Sequence, residues 1–253
     1  MNDSNPFDPP QTQLWASSHL EPRKVSIDPI DLFKRSLALM GEQYWLFVGI
    51  ALAAVFLGSL VPFGLLFGPM MVGLYMCYAD RERGRQVEFG TLFKGFDQFV
   101  NTLIAMLIMV GLTLVVMIPL VLIVITVFFF GLQNNGGNGL TASVILVLIT
   151  CYLIMFLIVF LIQLPFIFTF QLIADRDVTG PQAVSMSFKA IQKNFIGCIF
   201  LAFALALASM FASACCFIPA ILLMPISFGV LFLTYRDIFG PSGLEGPSRM
   251  EIA

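Results

Sequence analysis

Three long stretches without a charged residue dominate the chain: Gln43–Ala79, Gln98–Ala174 and Asn194–Tyr235. Each exceeds the roughly 20 apolar residues that a helix needs to cross the hydrocarbon of a bilayer. Proline and glycine breaks divide each stretch in two: Val61-Pro62-Phe63-Gly64 in the first, GLQNNGGNGL (Gly131 to Leu140) in the second, and Cys216-Phe217-Ile218-Pro219 in the third. The pattern therefore predicts an all-α polytopic membrane protein with about six transmembrane helices paired as three hairpins. The arms of the outer hairpins run to about 18 residues, or roughly 27 Å, and those of the middle one to about 33, or roughly 50 Å. The middle pair must then tilt and protrude, kink at Pro119, or fold into extra turns. A shallow re-entrant hairpin gives the same pattern as a full span.

A shorter amphipathic segment precedes each hairpin. Asp28-Pro29 supplies an N-cap with proline at the first helical position, after which Ile30, Phe33 and Leu37 fall on one helical face. Phe89, Leu92, Phe93, Phe96 and Val100 repeat that spacing, as do Val184, Phe188, Ile191 and Phe195 after Gly180-Pro181. Such helices either lie in the bilayer interface, with Lys34, Lys94, Lys189 and Lys193 reaching headgroups, or pack on one another as a collar. The openings DLFKRSLALM, TLFKGFDQF and MSFKAIQKN, and the exits GPMMVGLYMCYADR, LPFIFTFQLIADR and MPISFGVLFLTYRD, share an order of parts. They suggest a threefold internal repeat with units at about 28–85, 88–178 and 180–240, the middle one elongated. The repeats form one integral membrane domain over residues 28–240. Residues 1–27 and 241–253, with proline, glycine and serine but no apolar periodicity, read as disordered cytoplasmic tails.

Composition agrees: 59% of residues are hydrophobic, 11% are charged, and phenylalanine occurs 27 times. Charge adds orientation. If each stretch returns to the side it left, all 13 lysines and arginines fall on one side of the bilayer, which makes that side and both termini cytoplasmic. The opening MNDSNPFDPP has an early acid and no apolar core, so neither a signal peptide nor a transit peptide is expected. A net charge of −2 gives no basis for nucleic-acid binding. The five cysteines form no C-x-x-C pair and lie mostly in apolar runs, where packing is the expected role.

Chemistry is sparse. The one histidine, His19, lies in the N-terminal tail, and the catalytic and phosphate-binding motifs with a known mechanism are missing, so no catalytic residue, metal or cofactor is expected. No ionisable residue interrupts the spans, which argues against an ion-coupled carrier. Polarity inside them comes from residues such as Thr102, Thr113, Thr126, Thr150, Gln163, Thr169, Gln171, Ser227 and Thr234. Gln163 and Gln171 flank Pro165 and either line a small polar cavity or bond between helices. The stripe Ala204, Ala208, Ala212 and the pair Gly64 and Gly68 suit close helix packing, within the chain or between copies. The candidate site is the set of exit pairs Asp80–Arg81, Asp175–Arg176 and Arg236–Asp237. Arranged around an axis, they would ring the cytoplasmic mouth and could bind a lipid headgroup or substrate; alternatively each arginine simply complements a helix dipole.

Through these opening and exit motifs the chain resembles, over residues 28 to 240, uncharacterised multi-pass membrane families of bacteria that are similar to the membrane domain of some glycerophosphodiester phosphodiesterases. The catalytic domain of those fusions has no counterpart here, so the resemblance carries over no catalytic residue. It implies a bacterial inner-membrane protein of unassigned activity. The expected role is a non-enzymatic membrane component that assembles with other membrane proteins or its own copies, or that organises lipid. The alternative is a passive channel or a carrier for a small or lipid-like substrate.

Overall fold

The structure, a computed structural model, describes residues 21–60, 65–134, 142–215 and 217–241. His19, Val61–Gly64, most of the Gly131–Leu140 turn, Cys216 and the far ends of both expected tails lie outside the described residues. The described residues are all-helical: α1 (Pro29–Met40), α2 (Tyr44–Leu60), α3 (Phe67–Glu82), a 3-10 helix (Phe89–Gln98), α4 (Phe99–Asn134), α5 (Ala142–Gln163), α6 (Thr169–Arg176), α7 (Gly180–Lys193), α8 (Phe195–Cys215) and α9 (Phe217–Phe239). Local chemistry sets the starts of the amphipathic helices. The Asp28 side chain accepts from the Ile30 N–H at 3.0 Å, with Pro29 in the first turn. Thr179 and Gln182 form a capping box at the start of α7.

Among the described residues, five helical stretches are long and apolar enough to cross a membrane: Pro29–Leu60, Phe89–Gly131, Val144–Arg176, Phe195–Ala214 and Ile218–Phe239. The sixth expected arm, α3, has only 16 residues, roughly 24 Å of helix. It sits inside the protein, with every residue from Gly68 to Tyr75 buried. The middle hairpin shows the opposite extreme. α4 runs unbroken for 36 residues through Pro119, roughly 54 Å, so the length is carried by one continuous helix and not by extra turns. Its partner arm is broken at Leu164–Phe166, where Pro165 opens a short 3-10 turn between α5 and α6.

The packing is cyclic. α3 lies on the 3-10 helix, α6 on α7, and α9 on α1, so the last element returns to the first. Close approach explains the small residues on these seams. A methyl group on Gly73 would strike the Leu92 carbonyl, one on Gly95 the Pro69 carbonyl, and one on Gly229 the Ser36 hydroxyl. Two serines stitch the α9–α1 and α6–α7 seams to backbone: Ser36 Oγ donates to the Ile226 carbonyl at 3.0 Å, and the Phe168 N–H donates to Ser187 Oγ at 3.2 Å. Phe47, Tyr78 and Phe232 stack in the core, where the Tyr78 hydroxyl donates to the Pro225 carbonyl at 2.6 Å.

Two details differ from the sequence-based expectations. The middle amphipathic segment is a 3-10 helix, so residues three apart eclipse: Leu92 and Gly95 face inward, whereas Phe93 and Phe96 are exposed. Leu92 therefore leaves the face on which α-helical spacing puts it. Secondly, the stretch before α1, expected within a tail ending at residue 27, is docked along its length. The Arg23 N–H donates to the Ile238 carbonyl at 2.8 Å, Val25 N–H and the Arg23 carbonyl bond the Asn194 carboxamide, and Lys193 reaches the Pro22 carbonyl.

Candidate functional site

The C-terminal ends of α3, α6 and α9 converge, and the acids and bases that end those helices meet there. Each helix end presents unsatisfied carbonyls and the negative pole of its dipole, so three such ends together need positive charge. Arginine supplies it. Arg176 Nη2 donates to the carbonyls of Phe239, Gly240 and Pro241 at 3.1, 3.2 and 3.0 Å, closing the end of α9. Arg81 Nε does the same for α1 through the Leu39 carbonyl at 2.9 Å.

Asp175 is the centre of the cluster, with its side chain 2% exposed. Its Oδ2 accepts from the Tyr235 hydroxyl at 2.8 Å, from Arg236 Nη1 at 3.0 Å and from Arg176 Nε at 3.2 Å. Its Oδ1 makes no hydrogen bond and faces Arg83 Nη2 at 3.6 Å. Arg236 also pairs through Nε with Glu82 Oε2 at 2.6 Å, and its guanidinium lies 5.2 Å from the Phe232 ring centroid. Burial holds the Glu82 carboxyl above its ordinary 4.5, with Arg236 pulling the other way.

Three of the six expected site residues thus come together: Asp175, Arg176 and Arg236. The other three do not join them. Asp80 pairs with Arg85, Arg81 caps α1, and Asp237 accepts from Nη1 and Nη2 of Arg35 at 2.8 and 3.0 Å. The evenly spaced ring of three Asp and three Arg is replaced by one cluster centred on the buried Asp175 and three separate contacts. Glu82, Arg83 and Tyr235 belong to the cluster but were not singled out in the sequence. The run Asp80-Arg81-Glu82-Arg83 and the tyrosine preceding Arg236 are the traces that could have pointed to them.

The cluster's charges are matched largely within it: Arg83, Arg176 and Arg236 each face a carboxylate, and Arg176 also holds helix-end carbonyls. Just inside it, α6 carries buried polar atoms without partners, the Thr169 hydroxyl and both amide atoms of Gln171. Gln171 lies one helical turn from Asp175 and so shares its face. Among the described residues no group of three His, Cys, Asp or Glu side chains is placed to hold a metal ion. No known protein family, curated protein or solved structure matches the chain.

Proposed function

We propose that the chain is a non-enzymatic bacterial inner-membrane protein that organises lipid around a rigid helical scaffold, with its charged end and both termini cytoplasmic. In this reading it is built from three copies of one unit, each an interfacial segment followed by a two-arm hairpin, six arms in all. The order amphipathic segment, first arm, second arm runs three times through the described elements, and Lys34, Lys94 and Lys189 each lie in the segment before a hairpin. The cyclic packing of second arms on amphipathic segments supports the same reading. So does the resemblance to membrane domains described above.

The observation that carries the reading is the fate of the polar residues in the arms. Thr113, Thr126, Thr150, Ser227 and Thr234 each donate to the carbonyl four residues back in their own helix, and Thr102 to the Gln98 carbonyl just before its helix, at 2.7–3.0 Å. They are spent on backbone and do not form a lining. Aromatic and aliphatic side chains fill the space between the arms, among them Phe47, Ile50, Leu74, Leu172 and Phe232. Outside, the middle hairpin exposes Leu107, Val115, Leu122, Phe129, Leu146, Tyr152 and Phe156, a surface suited to acyl chains. Among the described residues the carrier reading rests on Gln171 and Thr169, whose unpartnered buried atoms are what a polar solute would satisfy.

Purified protein reconstituted into vesicles separates the two. The lipid-organising reading expects leakage of an entrapped small polar dye to match protein-free vesicles, while the acyl-chain order measured with a membrane probe changes in proportion to protein. Protein-dependent leakage that Gln171→Leu abolishes would favour the carrier instead.

A further inference from the structure

Several cations in this fold are held by partners, among them Lys193 on the Pro22 carbonyl, and others are not. Arg35, Arg85, Arg176 and Arg236 are bound to carboxylates, and Arg81 to a helix end. Lys34, Lys94 and Lys189 are exposed, and among the described residues they make no hydrogen bond or ion pair. One such lysine occurs in each amphipathic segment, and each directly follows an exposed phenylalanine: Phe33 at 37%, Phe93 at 45% and Phe188 at 46% exposure.

The faces of these segments explain why. Leu32, Ser36 and Met40 of α1, Leu92 and Gly95 of the 3-10 helix, and Ala183, Ser187 and Ala190 of α7 are buried. The inward seam is thus made of small, hydroxyl and aliphatic residues, and the phenylalanines turn away from the core. A protein in water would not present them so. They continue into the apolar exterior of the arms, through Trp45 and Phe56 after α1, Val100 and Leu107 after the 3-10 helix, and Phe195 and Phe200 after α7. The Phe–Lys pairs therefore mark the line where that exterior ends and the charged end begins. An aromatic ring set at the edge of an apolar belt, with an ammonium beside it on a flexible stem, suits the headgroup level of a bilayer.

From this geometry we infer that Phe33–Lys34, Phe93–Lys94 and Phe188–Lys189 form an interfacial surface that selects anionic phospholipid, each ring entering the acyl boundary and each ammonium meeting a headgroup phosphate. This assigns lipid selection to the free lysines and removes it from the arginines of the exit pairs. It rests on the membrane reading above. Asp31 does not neutralise Lys34, because Arg35 faces it at 3.7 Å. Glu88 and Asp97 flank Lys94, so the middle pair contributes least, and α7, with Lys189 and no acid of its own, contributes most.

The test is electron spin resonance on the full chain in vesicles of equimolar phosphatidylcholine and phosphatidylglycerol, comparing spin-labelled forms of the two lipids in the motionally restricted shell around the protein. The expected result is a roughly fivefold preference for phosphatidylglycerol that weakens as salt is raised. It falls toward unity in the triple variant K34Q/K94Q/K189Q and persists in K34R/K94R/K189R. All three side chains are exposed, so neither variant disturbs the core. A preference unchanged in the glutamine variant, with the shell intact, overturns the inference and leaves the membrane reading standing. A wild-type protein with no restricted shell overturns both.

Discussion

Asp175 takes hydrogen bonds from Tyr235, Arg176 and Arg236 through one oxygen and faces Arg83 with the other. Removing its charge leaves several buried cations without their shared partner, a loss that typically costs about 3–5 kcal/mol. Asp175→Asn is therefore expected to lower the midpoint of thermal unfolding in detergent sharply, and a shift no larger than that of a surface substitution would show that the cluster does not hold the helix ends. Glu82 is predicted to behave differently. Burial raises its carboxyl above 4.5 despite Arg236, so the folded protein binds that proton more readily than the unfolded chain. Stability then declines as pH rises from the ordinary to the raised value, and Glu82→Gln removes that slope while costing little at neutral pH. Comparing unfolding midpoints of the two proteins across the acidic range checks the sign. Gln171 offers a third contrast. Both its amide atoms are buried without partners, so Gln171→Met is expected to be neutral or stabilising by about 1 kcal/mol.

Among elements, the seams between arms and amphipathic segments are the least tolerant part of the design. Gly73 and Gly95 bring α3 and the 3-10 helix so close that backbone meets backbone. Gly73→Ala and Gly95→Ala are each expected to cost more than the roughly 1–3 kcal/mol of ordinary overpacking, because a carbonyl cannot rotate away as a side chain can. Gly49, where an added Cβ meets nothing within 4 Å, is the matched control, and equal losses at Gly49 and Gly73 would refute the account. This is also where the sequence was readable and where it was not. The cap at Asp28 acts locally and was evident as Asp-Pro, whereas for α7 only the Gly180-Pro181 start was read and the Thr179 cap was not. The inward face of the 3-10 helix was not evident, because Phe89-Gly90-Thr91-Leu92-Phe93 fits α-helical spacing equally well and only contact with α3 selects the tighter turn. The charged exits were visible as the points where apolar runs stop. Their partners were not, since Arg35 and Asp237 lie 202 residues apart and pairing at that range depends on how the ring closes.

At the scale of the whole molecule, the described acids and bases gather at one end. Ion pairs or polar contacts join α1 to α9, α9 to α3, the end of α3 to α6, and the end of the 3-10 helix to Asp177 beyond α6, while α4 and α5 themselves are free of charged residues. On the reading proposed above, a chain with that polarity is predicted to insert with the lysine- and arginine-rich end toward the cytoplasm, because moving those charges across the bilayer is unfavourable. The length of α4 adds a second consequence. A helix of roughly 54 Å starting at the charged end is longer than a hydrocarbon layer of about 30 Å, so the far end of α4 is predicted to reach the other side of the bilayer. The prediction is made in a background whose five native cysteines are replaced. A single cysteine at Asn135 should react with a membrane-impermeant maleimide added to intact cells, and one at the exposed Gln86 should react only after the membrane is opened. Labelling of Gln86→Cys from outside would invert the orientation. Failure of both positions to react in intact cells, with both reacting after permeabilisation, would make the middle hairpin re-entrant and remove it from the set of full spans.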